Sequence, residues 1–216
     1  MKKFAVVLSG SGVFDGAEIH EATLSLLAIA KAGAEYEIFA PDIAQHHVIN
    51  HITGEVMNET RNVLIESARI ARGKINPLSA FNAASFDAIL FPGGFGVAKN
   101  LCSMAVDGSN CNVNKEVEKA VSAMYKEKKP IGALCIAPAL IARIIEGVKV
   151  TIGQDESTAA TIQAMGGTHV NTTHGEVIED KANRVFTTPC YMLDATVLDI
   201  YNGATNIVNA IMDSMK

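Results

Sequence analysis

Short apolar segments alternate along the chain with segments in which apolar residues recur at helical spacing. Buried strands are predicted at residues 4–9 (FAVVLS), 35–41 (EYEIFAP), 86–94 (FDAILFPGG), 130–135 (PIGALC) and 149–153 (KVTIG). Helices are predicted at residues 17–33, 58–73, 114–129, 136–145, 155–167 and 197–215. Residues 176–188 form two extended runs around a polar turn, which predicts an antiparallel hairpin. This alternation predicts an α/β fold: a three-layer α/β/α sandwich with a mainly parallel sheet and one small antiparallel hairpin.

The composition of the chain indicates a globular protein and limits which partners it is expected to bind. The chain has 216 residues, of which 49% are hydrophobic and 19% charged, as in ordinary globular proteins. No internal repeat or Pro/Ser-rich linker interrupts it, so we expect one domain over residues 1–216. The formal net charge of -5 gives no electrostatic support for binding nucleic acid or an anionic membrane. No apolar run reaches the ~18 residues that span a bilayer. We therefore expect neither nucleic acid nor a membrane as a partner.

The cysteine spacing indicates the redox environment in which the protein is found. The four cysteines contain no CxxC pair. In a chain of this size such spacing predicts reduced thiols rather than a disulfide framework. On this argument we expect a cytoplasmic protein.

Three strand-to-helix corners are candidates for a site, because ligands of parallel sheets bind at the carboxyl ends of the strands. The first corner, residues 9–16, reads GxGxxxG, which is not the dinucleotide fingerprint GxGxxG. No phosphate loop of the GxxxxGK[ST] type is present either, so we expect no nucleotide cofactor. Asp15 and Glu18 are spaced like a capping box at the start of the first helix. Glu21 lies one turn further, and periodicity does not decide whether it is buried or solvated.

The second corner, FPGGFG at residues 91–96, places three glycines directly after a strand. Such glycines allow successive N–H groups to converge on an anion, although a tight turn without a ligand fits equally well. The third corner contains Cys135, with the small residues Ala133 and Ala137 two positions before and after it. This spacing is typical of a sharp turn that exposes a nucleophile. A helix N-terminus at that point would lower the thiol pKa. A buried, inert cysteine is the alternative.

Other polar clusters are weaker candidates. His46, His47 and His51, with Glu55 a turn later, have partly the spacing of a zinc site, but no HExxH pattern is present. We therefore expect no metal. Cys102 and Cys111 flank a loop rich in Gly, Ser and Asn, and their role stays open.

Long motifs then resemble a known superfamily. The segments LSGSGVFDGAEIHEATL, PGGFGVAKNL, GALCIAP and TTPCYML are similar to the ThiJ/PfpI superfamily, relatives of the class I glutamine amidotransferases, and closest to its ElbB branch. The likeness covers nearly the whole chain. It implies a flavodoxin-like core, a homodimer, no cofactor, and a glyoxalase-like activity on methylglyoxal or glyoxal.

The resemblance also implies roles for residues. Cys135 matches the nucleophile and Glu21 its partnering carboxylate, while the N–H groups of Gly94 and Ile136 match the oxyanion donors. Pocket residues implied with less support are Ser11, Glu18, His20, Gly93, Pro189 and Cys190.

The leading functional hypothesis is a glutathione-independent glyoxalase that converts a small 2-oxoaldehyde to a 2-hydroxy acid. A redox or stress sensor with an oxidisable, low-pKa Cys135 is the alternative. An amidase or amidotransferase-like hydrolase is less favoured, because Ile136 stands where many relatives with those activities place a histidine.

Overall fold

The computed structural model describes residues 1–216 and contains eleven β-strands. In chain order they are β1 (Lys3–Val7), β2 (Glu35–Ala40), β3 (Val48–Ile49), β4 (Val56–Met57), β5 (Asn76–Pro77), β6 (Ala88–Phe91), β7 (Ile131–Leu134), β8 (Lys149–Val150), β9 (Thr168–His169), β10 (Ile178–Asp180) and β11 (Val185–Thr188). Seven strands form one sheet in the order β10-β11-β7-β6-β1-β2-β5. Every neighbouring pair in this sheet is parallel except β10 and β11. The predicted parallel sheet with one antiparallel hairpin is therefore confirmed.

Helices cover both faces of this sheet. They are α1 (Ile19–Lys31), α2 (Val63–Ile70), α3 (Met104–Asp107), α4 (Lys115–Lys126), α5 (Ala137–Ile144), α6 (Glu156–Ala164) and α7 (Val197–Asp213). A π-helical turn, Val97–Leu101, follows the glycine corner after β6. None of the helices combines the length and the apolar character that crossing a membrane requires.

The strand side chains divide between two hydrophobic clusters because alternate residues of a strand point to opposite faces. On β1, Phe4 and Val6 belong to the cluster that also contains buried residues of α1 and α7. Ala5 and Val7 belong to the other cluster, with buried residues of α4 and α5. The apolar, non-alternating strands of the sequence are explained by this coverage on both faces. The three-layer, flavodoxin-like α/β/α architecture is confirmed.

The first helix begins later than expected. Its N-cap is Glu18, whose Oε2 accepts the N–H of Glu21 at 2.7 Å. The capping box predicted from Asp15 is therefore wrong. The Asp15 carboxylate instead accepts the N–H of Ile49 at 2.7 Å and so ties the first corner to β3. The second helix is also shorter than predicted, because Asn62 caps it and accepts the N–H of Ile65.

One predicted strand leaves the central sheet. Within residues 149–153 only β8 is extended, and it pairs with β9 in a separate two-stranded sheet. The N–H of Thr151 donates to the side-chain Oγ1 of Thr187 at 2.9 Å rather than to a backbone carbonyl. This side chain takes the place of a ladder hydrogen bond, and β10 pairs with β11 instead.

Candidate active site

Cys135 lies at the corner between β7 and α5. Its backbone φ is 59°, in the left-handed region that side chains other than glycine rarely adopt. Its N–H donates to the carbonyl of Thr188 on the adjacent strand at 3.0 Å, which holds the corner in place. On β7 before this corner, a Cβ on Gly132 would lie 2.4 Å from Leu90 Cδ1 and 2.7 Å from Ile211 Cδ1, so the strand packs tightly against its neighbours. The predicted sharp turn at Cys135 is thus present in the structure.

Glu21 faces the same corner from α1. It is completely buried, so the structure decides the question that the periodicity of the helix left open. Its Oε2 accepts the N–H of Gly93 at 2.9 Å, and its Oε1 accepts the N–H of Tyr191 at 3.2 Å. The carboxyl group is therefore fixed by backbone donors from two strand ends.

The glycine corner after β6 packs directly against both groups. A Cβ on Gly93 would lie 2.3 Å from Cys135 Cβ and 2.6 Å from Glu21 Oε2, so no larger residue fits. Gly94 has a φ of 97°, and its backbone N–H lies close enough to the Cys135 thiol to lower the thiol pKa. The N–H of Ile136, the N-cap of α5, acts on the thiol pKa in the same direction. The structure thus places both expected oxyanion donors next to the Cys135 thiol.

Burial is the main cause of the pKa shifts of Glu21 and Cys135. It raises the pKa of Glu21 to about 8, with the charge of Glu18 adding to the shift and the N–H bonds from Tyr191 and Gly93 opposing it. Burial and the neighbouring Glu21 also raise the pKa of the Cys135 thiol well above its ordinary value. The N–H groups of Gly94 and Ile136 oppose this shift but do not reverse it. The expected low-pKa thiol is therefore wrong, because desolvation outweighs the helix N-terminus.

The region after β11 supplies the other wall of the site. Cys190 has a φ of 44°, is buried, and has a pKa raised by burial and by the charges of Glu21 and Cys135. Pro189 precedes it and accepts the N–H of Met192 in a short turn. Sequence reasoning missed Tyr191, because a backbone donor leaves no side-chain signal. Only its place in the TTPCYML motif marked the segment.

Of the remaining predicted pocket residues, Glu18 and His20 contact Glu21 or Tyr191, whereas Ser11 contacts neither Cys135 nor Glu21 by a side-chain hydrogen bond. Glu18 acts on Glu21 through the cap and through its charge. His20 is exposed, and its Nδ1 lies 2.8 Å from the hydroxyl of Tyr191. Ser11 belongs to the first corner and forms no side-chain hydrogen bond with Cys135 or Glu21, so the structure does not bring it into this constellation.

Of the three histidines near β3, His46 and His51 have other partners, and Nε2 of His47 is buried without one. His51 Nε2 accepts the N–H of Phe14 at 3.2 Å and lies 3.8 Å from an oxygen of Asp15. The N–H of His46 donates to the side chain of Asn100. No group of three His, Cys, Asp or Glu side chains is arranged to hold a metal ion.

Comparison with known proteins places this geometry in a family. No family model matches the chain. A rat protein named ES1 protein homolog, mitochondrial, is 47% identical over 221 residues, which covers 98% of this chain and 83% of the relative. A human protein named glutamine amidotransferase-like class 1 domain-containing protein 3, mitochondrial, is 46% identical and covers 98% of this chain and 82% of the relative.

Two solved structures have the same fold. A protein from Ehrlichia chaffeensis, described as an isoprenoid biosynthesis protein with an amidotransferase-like domain, has a TM-score of 0.94 and 37% identity over all of both chains. Glyoxalase III from Candida albicans has a TM-score of 0.64 and 15% identity, and the match covers 99% of this chain and 97% of that one. The second likeness shows the fold alone.

The expected cytoplasmic location is wrong by this comparison, since the rat and human relatives are both named as mitochondrial. The expectation rested on unpaired cysteines, and all four are indeed free thiols. Free thiols report a reducing environment, not which reducing compartment contains the protein. Free cysteines therefore do not distinguish the cytosol from another reducing compartment.

Proposed function

This chain belongs to the glutamine amidotransferase-like class 1 (ThiJ/PfpI, DJ-1-like) superfamily, and we propose that it is a cysteine-dependent glyoxalase-type enzyme acting on small 2-oxoaldehydes. Within the superfamily we assign it to the ElbB branch on the motifs quoted above. The observation that carries the proposal is a single constellation. The backbone N–H groups of Gly94 and Ile136 lie next to the Cys135 thiol, which packs at Gly93 together with a buried Glu21 whose pKa lies near 8.

The proposed reaction begins when the pair loses one proton and the Cys135 sulfur adds to the aldehyde carbon. The N–H groups of Gly94 and Ile136 stabilise the negative charge that forms on the carbonyl oxygen. The alkoxide takes the remaining proton of the pair from Glu21. The Glu21 carboxylate then removes the proton from the former aldehyde carbon and returns a proton to the adjacent carbon through an enediol. This internal transfer oxidises one carbon and reduces the other, so no external oxidant is required. Water then hydrolyses the resulting thioester to the 2-hydroxy acid and frees the thiol.

The enclosure of the site favours a small substrate. Cys135 is only 7% exposed, and Glu21 is fully buried. The prominent cavities of the surface, of about 290 to 770 Å³, are lined by other residues. A three-carbon oxoaldehyde satisfies this constraint better than a peptide or a glutamine amide.

The same geometry disfavours amide hydrolysis. The residue after the cysteine is Ile136, and the groups that act on the Cys135 thiol are Glu21 and two backbone N–H donors. A leaving amine needs a proton from a general acid such as histidine. His20, next to Glu21 in sequence, points to the hydroxyl of Tyr191 instead. The name amidotransferase-like given to relatives therefore describes the superfamily and not the chemistry we propose.

The test is formation of lactate from methylglyoxal by the purified protein without glutathione. Cys135→Ala and Glu21→Gln should each remove the activity, whereas Cys111→Ala, a buried cysteine outside the site, should retain it. Turnover that survives in Cys135→Ala would reject the proposal. Equal loss in Cys111→Ala would attribute the effect to folding and not to the nucleophile.

A sensing role is the second candidate, and one observation favours it. Because its pKa is near 8, Glu21 is largely protonated at neutral pH and is able to donate a hydrogen bond to an oxygen on an oxidised Cys135. Peroxide should then add oxygen to Cys135 before the other cysteines, as intact mass and peptide mapping would report. Uniform oxidation of all four cysteines would contradict a sensing role.

A further inference from the structure

A cavity separate from the candidate active site lies at the opposite end of the sheet strands from Cys135. It has a volume of about 440 Å³ and is lined by Tyr125, Lys126, Lys128, Lys181, Ala182, Asn183 and Arg184. Arg184 directly precedes β11, whose first residue is in register with Ile131, the first residue of β7. Cys135 follows the last residue of β7. The length of the sheet therefore separates this cavity from the candidate active site.

The charge of the cavity lining is uniform. Three lysines and one arginine line it, and no carboxylate does. None of the four cations forms a salt bridge. Of the nearby carboxylates, Glu127 pairs with Lys129, and Asp180 accepts hydrogen bonds from Asn183. Glu179 lines a neighbouring cavity, to which Lys181 and Arg184 also contribute. Four unpaired cations around one cavity are unexpected in a chain of net charge -5, because like charges placed together repel.

Two of these cations occupy unfavourable backbone conformations. Lys128 has a φ of 54° and Arg184 a φ of 55°, where glycine or asparagine is the ordinary choice. Lys128 follows the end of α4, and Arg184 ends the turn between β10 and β11. These two turns therefore place cationic side chains on both sides of the cavity.

The cavity walls are also fixed to one another. The hydroxyl of Tyr125 donates to Oδ1 of Asn183 at 2.9 Å, which joins the end of α4 to the hairpin turn. One guanidinium nitrogen of Arg184 donates to the carbonyl of Ser214 at 3.1 Å, while its Nε is buried without a partner. The arginine is thus held in place with donor capacity to spare.

We propose that this cavity binds a small free polyphosphate, such as a nucleoside di- or triphosphate. Several adjacent phosphates match several cations spread over one cavity, and the guanidinium fork suits phosphate oxygens. The presence of Lys126 is explained by the dipole of α4, because Lys126 lies in the last turn of that helix. The dipole does not account for Lys181 and Arg184, which belong to the hairpin. The proposal is independent of the chemistry at Cys135.

The test is calorimetric titration of the full chain with inorganic tripolyphosphate and with ATP at low salt. Lys128→Gly is the informative variant, because glycine accepts the left-handed φ and removes one cation without straining the backbone. Arg72→Gly is its matched control. Arg72 also has a left-handed φ, of 53°, follows the end of α2, and lies outside this cavity.

We expect tripolyphosphate to bind the wild-type chain, and Lys128→Gly to raise Kd about fivefold, as for the loss of one exposed ion pair. Arg72→Gly should leave Kd unchanged, and both glycine variants should unfold at or above the wild-type temperature. No binding of tripolyphosphate or ATP would overturn the proposal, and so would equal weakening by the two variants. Binding only to vesicles that contain phosphatidylinositol bisphosphate, with no binding of free polyphosphate, would also overturn it.

Discussion

Replacing Glu21 by glutamine tests the electrostatic account of the site without reference to any substrate. The carboxyl group is fully buried, and its pKa is raised to about 8, mainly by loss of hydration. Glutamine has nearly the same shape but cannot ionise. It keeps only one oxygen to accept the N–H groups of Gly93 and Tyr191, so an offset in stability that is independent of pH is expected as well. The informative quantity is therefore how the effect of the substitution changes with pH.

The direction in which stability changes with pH follows from the proton that Glu21 binds. A carboxyl group with a folded pKa of about 8 retains its proton in the folded state, whereas in the unfolded chain glutamate loses it near pH 4.3. The stability that this proton contributes is fully present below about pH 4.3 and is lost as the pH rises to about 8. Within that window the free energy of unfolding of the wild type, relative to Glu21→Gln, should fall by about 1.4 kcal/mol per pH unit. Between about pH 5.5 and pH 7.5 the change amounts to about 3 kcal/mol.

The assay is urea unfolding of both proteins at constant ionic strength across that window. Glu176→Gln is the control, because hydrogen bonds from Thr173 lower the pKa of Glu176. The contribution of Glu176 changes only at more acidic pH, so its curve should run parallel to that of the wild type in this window. A difference between Glu21→Gln and wild type that stays constant from about pH 5.5 to pH 7.5 would refute the burial argument.

Three further predictions concern the site and its supports. If the reactive form of the pair has lost one proton, kcat/KM for methylglyoxal should rise up to about pH 8 and then level off, and a flat profile would contradict this. Gly93→Ala should lower kcat/KM for methylglyoxal about a hundredfold through misplacement of the Cys135 sulfur, and an unchanged kcat/KM would contradict the packing. Asn100→Ala should lower the free energy of unfolding by about 3 kcal/mol, measured in urea, because the side chain bonds to Ser9, Asp15 and His46; a loss under about 1 kcal/mol would contradict this.

The layered fold could be predicted from the sequence because the signals for it are local. Continuous apolar strands followed by glycine, and helices with a clear apolar stripe, determine which faces must be covered. The departures occur where a side chain replaces a backbone partner. β10 and β7 occupy the two edges of β11, and Thr151 of the predicted strand reaches β11 only through the Thr187 side chain. Asn62 caps α2 several residues after the predicted start of that helix. Glu18 caps α1 one residue after its predicted start.

The candidate site was only partly predictable for the same reason. Cys135 was identified because small residues on both sides of a strand end mark a sharp turn. The burial of Glu21 depends on the segments at Gly93 and Tyr191, which are distant in sequence and meet α1 only in the folded chain. The direction of the Cys135 pKa shift was wrong because a helix N-terminus is visible in sequence, whereas desolvation by distant segments is not.

The raised proton affinities fit the proposed reaction better than a permanent thiolate would. Isomerising a 2-oxoaldehyde requires a group that both removes and returns a proton, and Glu21, with a pKa near 8, is poised to do so close to neutral pH. A carboxylate stabilised by full hydration would hold the proton too weakly to return it. The enclosure that keeps Cys135 protonated therefore supplies the acid–base group. The N–H groups of Gly94 and Ile136 remain available to stabilise negative charge when it forms on the sulfur or on the substrate oxygen.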